Sequence, residues 1–177
     1  MRSARRLVMA LIILVGTHAA DLSAQMFGPE LVWGEDSDLG VGARAELDIG
    51  QAVASSGPLS RAILTGAFDF FFPDCDTGAT GTDCSATYWE LRGDVVVPIS
   101  AASFDPYAGA GLHLAYASVD FDSGGFGVDS SDNELGFDLV GGLRFTVGDL
   151  PAFTELRLEL GGGDQLELAF GVLFGQR

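Results

Sequence analysis

Hydrophobic and polar residues alternate with a period of two along most of the chain. The clearest segment is 39–50, LGVGARAELDIG, in which aliphatic residues occupy one face and glycines and charged residues occupy the other. Strict alternation is typical of a β-strand whose two faces lie in different environments. The same pattern recurs in the segments that begin at Trp89, Glu134 and Leu166, so we predict an all-β protein.

Four further segments, 27–34, 61–72, 107–121 and 154–160, fit the alternation less cleanly and bring the number of predicted strands to eight. Most have close to the roughly 9–11 residues that a tilted strand needs to cross a membrane. We therefore predict a closed antiparallel up-and-down transmembrane β-barrel of about eight strands.

The connections between these segments also alternate in character. The two that are longest and richest in glycine, aspartate and serine, 73–85 and 122–133, both fall at the same predicted end of the barrel. Long outer loops and short inner turns are typical of bacterial outer-membrane barrels. These two loops are therefore the predicted extracellular surface.

The beginning of the chain has a different pattern. Three arginines within the first six residues precede an apolar run at 7–15, and small residues follow. This order is typical of a secretory signal peptide, and the run is too short to span a bilayer as a helix, although an uncleaved anchor is the alternative. Cleavage after Ala20 or Ala24 is expected, with Ala24 preferred. The predicted domains are a signal peptide at 1–24 and a barrel at 25–177.

Composition narrows the class of partner. The chain has 25 acidic and only 9 basic residues among 177, with a net charge of −16. Such a surface repels nucleic acid, so we exclude a nucleic-acid partner. The two cysteines, Cys75 and Cys84, lie in one predicted outer loop. In an exported protein we interpret them as a disulfide that closes this loop, because a two-cysteine metal site has no further ligands nearby.

The alternation also assigns the two faces of the barrel. One face is almost free of charge and is aliphatic and aromatic, whereas the other carries acidic residues and arginines at the strand centres. In lipid, the apolar face points outward and the charged face fills the interior. A soluble exported β-sandwich is the alternative fold, because its apolar faces would meet each other.

The interior of an eight-stranded barrel is only wide enough for side chains. We therefore predict a packed ion-pair network and no catalytic residue, metal site or cofactor. Because acids outnumber bases, some carboxylates must lie at the wet ends, be protonated or hold a cation. The predicted network consists of Arg44, Glu46, Asp69, Glu90, Arg92, Asp94, His113, Asp138, Arg144, Glu155, Arg157, Glu159 and Glu167.

His113 is the one histidine after the signal segment and raises the alternative of an enzyme that modifies outer-membrane lipid. Such an enzyme needs a serine and a histidine together at the lipid-facing surface. His113 has the inward phase, whereas the nearest downstream serine, Ser118, has the outward phase. A narrow porin is a second alternative, and the predicted ion pairs across the interior argue against it.

Aromatic residues cluster near the predicted strand ends, as expected for the two aromatic belts at membrane interfaces. The belt at the outer ends is predicted to contain Trp33, Phe70, Trp89, Tyr116 and Phe121. The belt at the inner ends is predicted to contain Tyr107, Phe145, Phe153 and Phe174.

Three segments resemble a known family: PYAGAGLHLAY at 106–116, GFDLVGGLRF at 136–145 and LELAFGVLFG at 166–175. They are similar to the small eight-stranded outer-membrane β-barrel proteins of the opacity-protein and OmpA/OmpX type. The family commonly ends on an aromatic residue, whereas here three residues follow Phe174.

This resemblance implies location in the bacterial outer membrane and contact with its lipid and lipopolysaccharide. Our first hypothesis for the function is a non-enzymatic role in envelope structure, adhesion or surface interaction. The partner is expected to bind through the acidic loops 73–85 and 122–133.

Overall fold

The computed structural model describes residues 25–73, 83–99, 105–123, 126–162 and 164–176. Each strand pairs antiparallel with its neighbours in sequence, and the first strand also pairs with the last. The sheet is therefore a closed up-and-down barrel of eight strands, which confirms the predicted fold and excludes the two-sheet sandwich. The strands are β1 Gln25–Gly34, β2 Asp38–Asp48, β3 Ile63–Phe71, β4 Asp83–Pro98, β5 Asp105–Ser123, β6 Phe126–Val147, β7 Leu150–Leu160 and β8, which consists of Leu166–Val172 and Phe174–Gln176.

Two predictions fall outside the described residues. The predicted signal peptide covers 1–24, and Cys75 of the predicted disulfide lies within 74–82. Both stay predictions. We call the end of the barrel that carries Gln25 and Gln176 the terminal end, and the opposite end the distal end.

Strand β8 is interrupted at Leu173, in register with Gly28 of β1. The next residue of β1 is Pro29, which has no N–H group to donate to the ladder. A Cβ atom on Gly28 would overlap the carbonyl oxygen of Val172, so the backbones approach closely here. The N–H of Leu173 donates to the Pro151 carbonyl oxygen of β7 at 2.8 Å, and β8 therefore stays attached on its other side.

The connection between β2 and β3 lies at the terminal end and contains two short helices. One is an α-helix, α1, at Gly50–Val53, and the other is a 3-10 helix at Pro58–Arg61. The Asp48 carboxylate accepts a hydrogen bond from the Gly50 N–H at 3.0 Å. None of the helices in the described residues is long and apolar enough to cross a membrane.

The predicted loop at 122–133 is wrong in part. Strand β5 continues to Ser123 and β6 starts at Phe126, so the segment forms the tip of a long β-hairpin at the distal end. Among its residues, Ser130, Ser131 and Asp132 are exposed. Within 122–133 Phe126 and Val128 are the only large apolar residues, so the period-two pattern is too short here to predict a strand.

The outer face of the barrel is apolar on all eight strands. Large hydrophobic side chains are exposed around the whole circumference, and the interior is lined by buried charged and polar side chains. A representative exposed residue from each strand, in order, is Phe27, Val41, Phe68, Leu91, Leu112, Leu139, Leu156 and Phe170.

Candidate functional site in the barrel interior

The charged residues of the interior are the main candidate for a functional site. All thirteen residues of the predicted network are buried, with Arg144 the most accessible at 8%. They form two groups, one around Glu155 and one around Arg92. Strand β2 supplies Arg44 and Glu46, β3 Asp69, β4 Glu90, Arg92 and Asp94, β5 His113, β6 Asp138 and Arg144, β7 Glu155, Arg157 and Glu159, and β8 Glu167.

Glu155 is the centre of the first group. The guanidinium of Arg44 donates two hydrogen bonds to the two Glu155 oxygens, each at 3.0 Å. Arg157 donates to Glu155 Oε1, and the Tyr107 hydroxyl donates to Glu155 Oε2 at 2.7 Å. A bidentate arginine with further donors is a strong arrangement for a buried carboxylate. Strands β2, β5 and β7 are thus joined across the interior.

The same group includes two more carboxylates. Glu46 accepts hydrogen bonds from Arg44 Nε at 3.2 Å and from Arg144 at 3.1 Å. Asp94 lies 3.6 Å from Arg157. Three carboxylates thus face three arginines. We call this group the terminal network, and its members are Arg44, Glu46, Asp94, Arg144, Glu155 and Arg157.

Two aromatic side chains pack on the arginines of the terminal network. The Arg44 guanidinium lies 4.3 Å from the centre of the Phe153 ring, and that of Arg144 lies 4.2 Å from the centre of the Tyr107 ring. Both rings are buried, so placing them in the lipid-facing inner belt was wrong. They share the inward phase of their strands, and cation–π contacts favour them there. Phe145 and Phe174 of that belt are exposed.

Arg92 is the centre of the second group. Its guanidinium lies 2.6 Å from Glu167 Oε2, 3.3 Å from Glu90 Oε2 and 3.5 Å from Glu30 Oε1, and it also contacts Asp69. A single positive charge therefore faces four carboxylates. Arg157 of the terminal network reaches the same Glu167 oxygen at 3.2 Å.

The second group extends through Glu159 to a buried histidine, because oxygens of Glu159 and Asp138 and a nitrogen of His113 lie within 4.8 Å of one another, as do oxygens of Glu90, Glu159 and Glu167. His113 Nδ1 lies 2.5 Å from Asp138 Oδ1, and His113 Nε2 lies 2.9 Å from the Gly162 carbonyl oxygen. Because a carbonyl oxygen only accepts, Nε2 carries a hydrogen atom. A Cβ atom on Gly136 would overlap this ring, so a glycine is needed beside it.

We call the second group the distal network. Among the described residues it places six carboxylates against one arginine and one histidine, whereas the terminal network is balanced. The excess of acid that the sequence predicts for the interior is therefore concentrated here. Its members are Glu30, Asp69, Glu90, Arg92, His113, Asp138, Glu159 and Glu167.

Sequence reasoning missed two interior residues that complete the distal network. Glu30 belongs to the most weakly marked strand, although its phase matches that of Met26 and Val32, which are also buried. Gln165 lies in a predicted loop and is 5% exposed. It has the same phase as Glu167, so extending the alternation of β8 by two residues would have found it.

Comparison with known proteins identifies the fold. No protein-family model matches the sequence, and no curated protein matches it significantly. Solved structures with the same fold include a major outer membrane protein of Thermus thermophilus, with a TM-score of 0.59 and 13% identity over 86% of this chain and 99% of that chain.

Two further solved structures share the fold. The N-terminal β-barrel domain of Pseudomonas aeruginosa OprF has a TM-score of 0.54 and 12% identity over 86% of this chain and 96% of that chain. Neisserial surface protein A has a TM-score of 0.54 and 17% identity over 85% of this chain and 94% of that chain. The chain therefore has the fold of small outer-membrane β-barrels, as the sequence resemblance implies.

Proposed function

We propose that the protein is a non-conducting, non-enzymatic barrel of the bacterial outer membrane that carries an acidic β-hairpin at the cell surface. One observation carries this proposal: a closed barrel has an apolar outer face on all eight strands and a charged interior. Lipid is the solvent that suits this arrangement. A closed barrel leaves no unpaired strand edge, and its outer face meets hydrocarbon.

The size of the apolar surface supports membrane insertion. Side chains such as Phe27, Leu112 and Leu135 are each more than half exposed. Exposed apolar surface costs about 25 cal/mol per Å² in water, and soluble monomers rarely expose contiguous patches larger than a few hundred Å². A belt around the whole circumference is far larger than such a patch.

The ion pairs support the absence of a pore. Arg44 on β2 bonds Glu155 on β7, and Arg92 on β4 bonds Glu167 on β8, so side chains cross the interior in both networks. An eight-stranded barrel has room for side chains but not for a water-filled channel beside them.

The distal hairpin and the segment 73–85 supply the proposed interaction surface. On the hairpin Asp120, Asp132 and Glu134 are exposed. Longer connections of such barrels face the outside of the cell, so this acidic surface would meet partners or the divalent ions that bridge lipopolysaccharide phosphates. Both ring nitrogens of His113 contact acceptors inside the barrel, which supports a non-enzymatic role.

Fractionation tests the membrane assignment. We expect the protein in the outer-membrane fraction, with an SDS-gel mobility that shifts on boiling because the folded barrel resists detergent. Recovery as a soluble periplasmic protein with no mobility shift would contradict the proposal.

Planar bilayers test the closed interior. We expect no stable conductance steps from the purified protein, with a large porin inserted under the same conditions as the positive control. Reproducible single-channel steps that disappear with heat-denatured protein would contradict a plugged interior.

A further inference from the structure

Three glutamates of the distal network point their carboxylates at one place. Oxygen atoms of Glu90, Glu159 and Glu167 all lie within 4.8 Å of one another, and all three side chains are fully buried. Two oxygens bound to one Ca²⁺ ion at about 2.3–2.6 Å are at most about 5 Å apart. The spacing therefore suits a shared cation.

The oxygens of these glutamates are divided between two directions. Oε2 of Glu90 and Oε2 of Glu167 face Arg92, at 3.3 and 2.6 Å. Oε1 of Glu90 and Oε1 of Glu167 instead face the side-chain nitrogen of Gln165, at 3.3 and 3.4 Å. Arg92 thus orients two carboxylates from behind, as outer-shell partners do at metal sites.

The Gln165 nitrogen occupies the centre of the cluster. Besides these two oxygens, it lies 2.9 Å from Glu159 Oε2 and 3.3 Å from the Tyr88 hydroxyl oxygen. An amide nitrogen has two hydrogen atoms, so it can satisfy only two of four acceptors. The amide nitrogen therefore lies where a cation would bind, but it carries no positive charge.

Glu159 is the carboxylate whose charge is least compensated. It takes part in none of the ion pairs among the described residues, and its Oε1 atom is buried with no hydrogen-bond partner among them. Burying a charged group without a compensating partner is costly. Other buried carboxylates with an unpartnered oxygen have an ion pair, whereas Glu159 has none among the described residues, and its Oε2 faces the cluster; this combination points to a missing cation.

We propose that Glu90, Glu159 and Glu167 bind a hard divalent cation of the Ca²⁺ or Mg²⁺ type in the distal half of the barrel. A half-turn of the Gln165 amide brings its oxygen into the cluster as a fourth ligand. Carboxylate and amide oxygens are the ligands that such cations prefer. This proposal does not depend on the proposed role in the membrane.

A cavity at the distal end lies next to this cluster. A cavity of about 230 Å³ at the distal mouth is lined by Gln165, Tyr88, Ser37 and Asp36, among others. Gln165 and Tyr88 each contact Glu90, so the floor of the cavity is one side of the proposed site. The Ser37 hydroxyl donates to Gln165 Oε1 at 3.1 Å and would release it when the amide turns.

The neighbouring group of His113, Asp138 and Glu159 also has the spacing of metal ligands. Both nitrogens of His113 are within hydrogen-bond distance of other groups, Asp138 and the Gly162 carbonyl. A carboxylate oxygen has two lone pairs and can keep one hydrogen bond while it binds a cation, whereas a ring nitrogen cannot, so we assign the cation to the three glutamates.

Calcium titration of the folded protein in zwitterionic micelles tests the site. We expect saturable binding of one Ca²⁺ per chain that Glu159→Gln weakens at least about tenfold, because affinity follows the number of charged ligands. The matched control is Glu46→Gln, which removes an equally buried carboxylate from the terminal network and should bind Ca²⁺ like the wild type. Heat-modifiable gel mobility verifies that each variant is folded.

Three results would overturn the site: no saturable binding of Ca²⁺ or Mg²⁺ by the wild type, equal binding by Glu159→Gln, or equal losses in both variants. Equal binding by Glu159→Gln would assign the ions to acidic residues other than this cluster. If Glu159→Gln does not fold, the Ca²⁺ affinity of Gln165→Glu is the test. If the cation binds here, a fourth carboxylate should raise that affinity. Unchanged affinity in that variant would also overturn the proposal.

Discussion

The two networks inside this barrel use the same residue types in opposite ways. In the terminal network three carboxylates meet three arginines, and Glu155 receives hydrogen bonds from Arg44, Arg157 and Tyr107. In the distal network one arginine, Arg92, forms ion pairs with four carboxylates. Glu159 has no arginine among the ion pairs of the described residues.

This difference separates a structural role from a binding role. A buried ion pair offsets its own desolvation only where its hydrogen bonds have good geometry, as in the bidentate pair of Arg44 and Glu155, and losing one partner is strongly destabilising. A buried carboxylate without a positive partner lowers stability until a proton or a cation arrives. We infer that the terminal network stabilises the association of the strands. The distal network, in contrast, can bind a cation but lowers the stability of the barrel when none is bound.

We expect the largest loss of stability from a substitution of Arg92. Replacing it by methionine leaves four buried carboxylates without their shared arginine, which should lower the free energy of unfolding by about 3–5 kcal/mol. Urea unfolding in lipid vesicles, monitored by gel mobility, measures this loss. The control is Arg144→Met, which removes a more accessible arginine whose partner Glu46 keeps Arg44. Equal losses in the two variants would contradict the contrast between the networks.

The sharpest comparison is between two buried glutamates on β7. Glu155→Gln breaks a bidentate arginine pair and should cost about 3 kcal/mol. Glu159→Gln removes a charge that has no arginine partner, so in a chelator it should stabilise the barrel by about 1 kcal/mol. Both effects are measured by urea unfolding at neutral pH. A destabilised Glu159→Gln variant without divalent ions would show that its charge is compensated after all.

A smaller effect is expected at Tyr107. Removing its hydroxyl in Tyr107→Phe takes one hydrogen bond from Glu155 but leaves Arg44 and Arg157, so the expected loss is about 1 kcal/mol. Tyr116→Phe is the matched control, because Tyr116 lies outside the networks and stacks on Trp89. We expect that control to stay within about 0.5 kcal/mol of the wild type. If Tyr116→Phe lowered the free energy of unfolding as much as Tyr107→Phe does, the hydrogen bond of the interior hydroxyl would not explain the loss.

Much of the fold was predictable because one physical rule repeats along the chain. An apolar face and a charged face alternate in most strands, and that pattern predicts which side chains point inward. The rule failed in the hairpin tip between β5 and β6, where Phe126 and Val128 are the only large apolar residues among glycine, serine and acidic residues. At Tyr107 and Phe153 the rule holds, and the aromatic-belt assignment failed because it ignored their inward phase.

The sequence by itself determined the inward or outward direction of most side chains, because direction depends only on the parity of a residue within its strand. It also determined that acids outnumber bases in the interior. The tertiary structure alone decided which charges meet. Arg44 and Glu155 are 111 residues apart, and Gln165 and Glu90 are 75 apart. Such pairs depend on the register of all eight strands and on closure between β1 and β8, which no local pattern encodes.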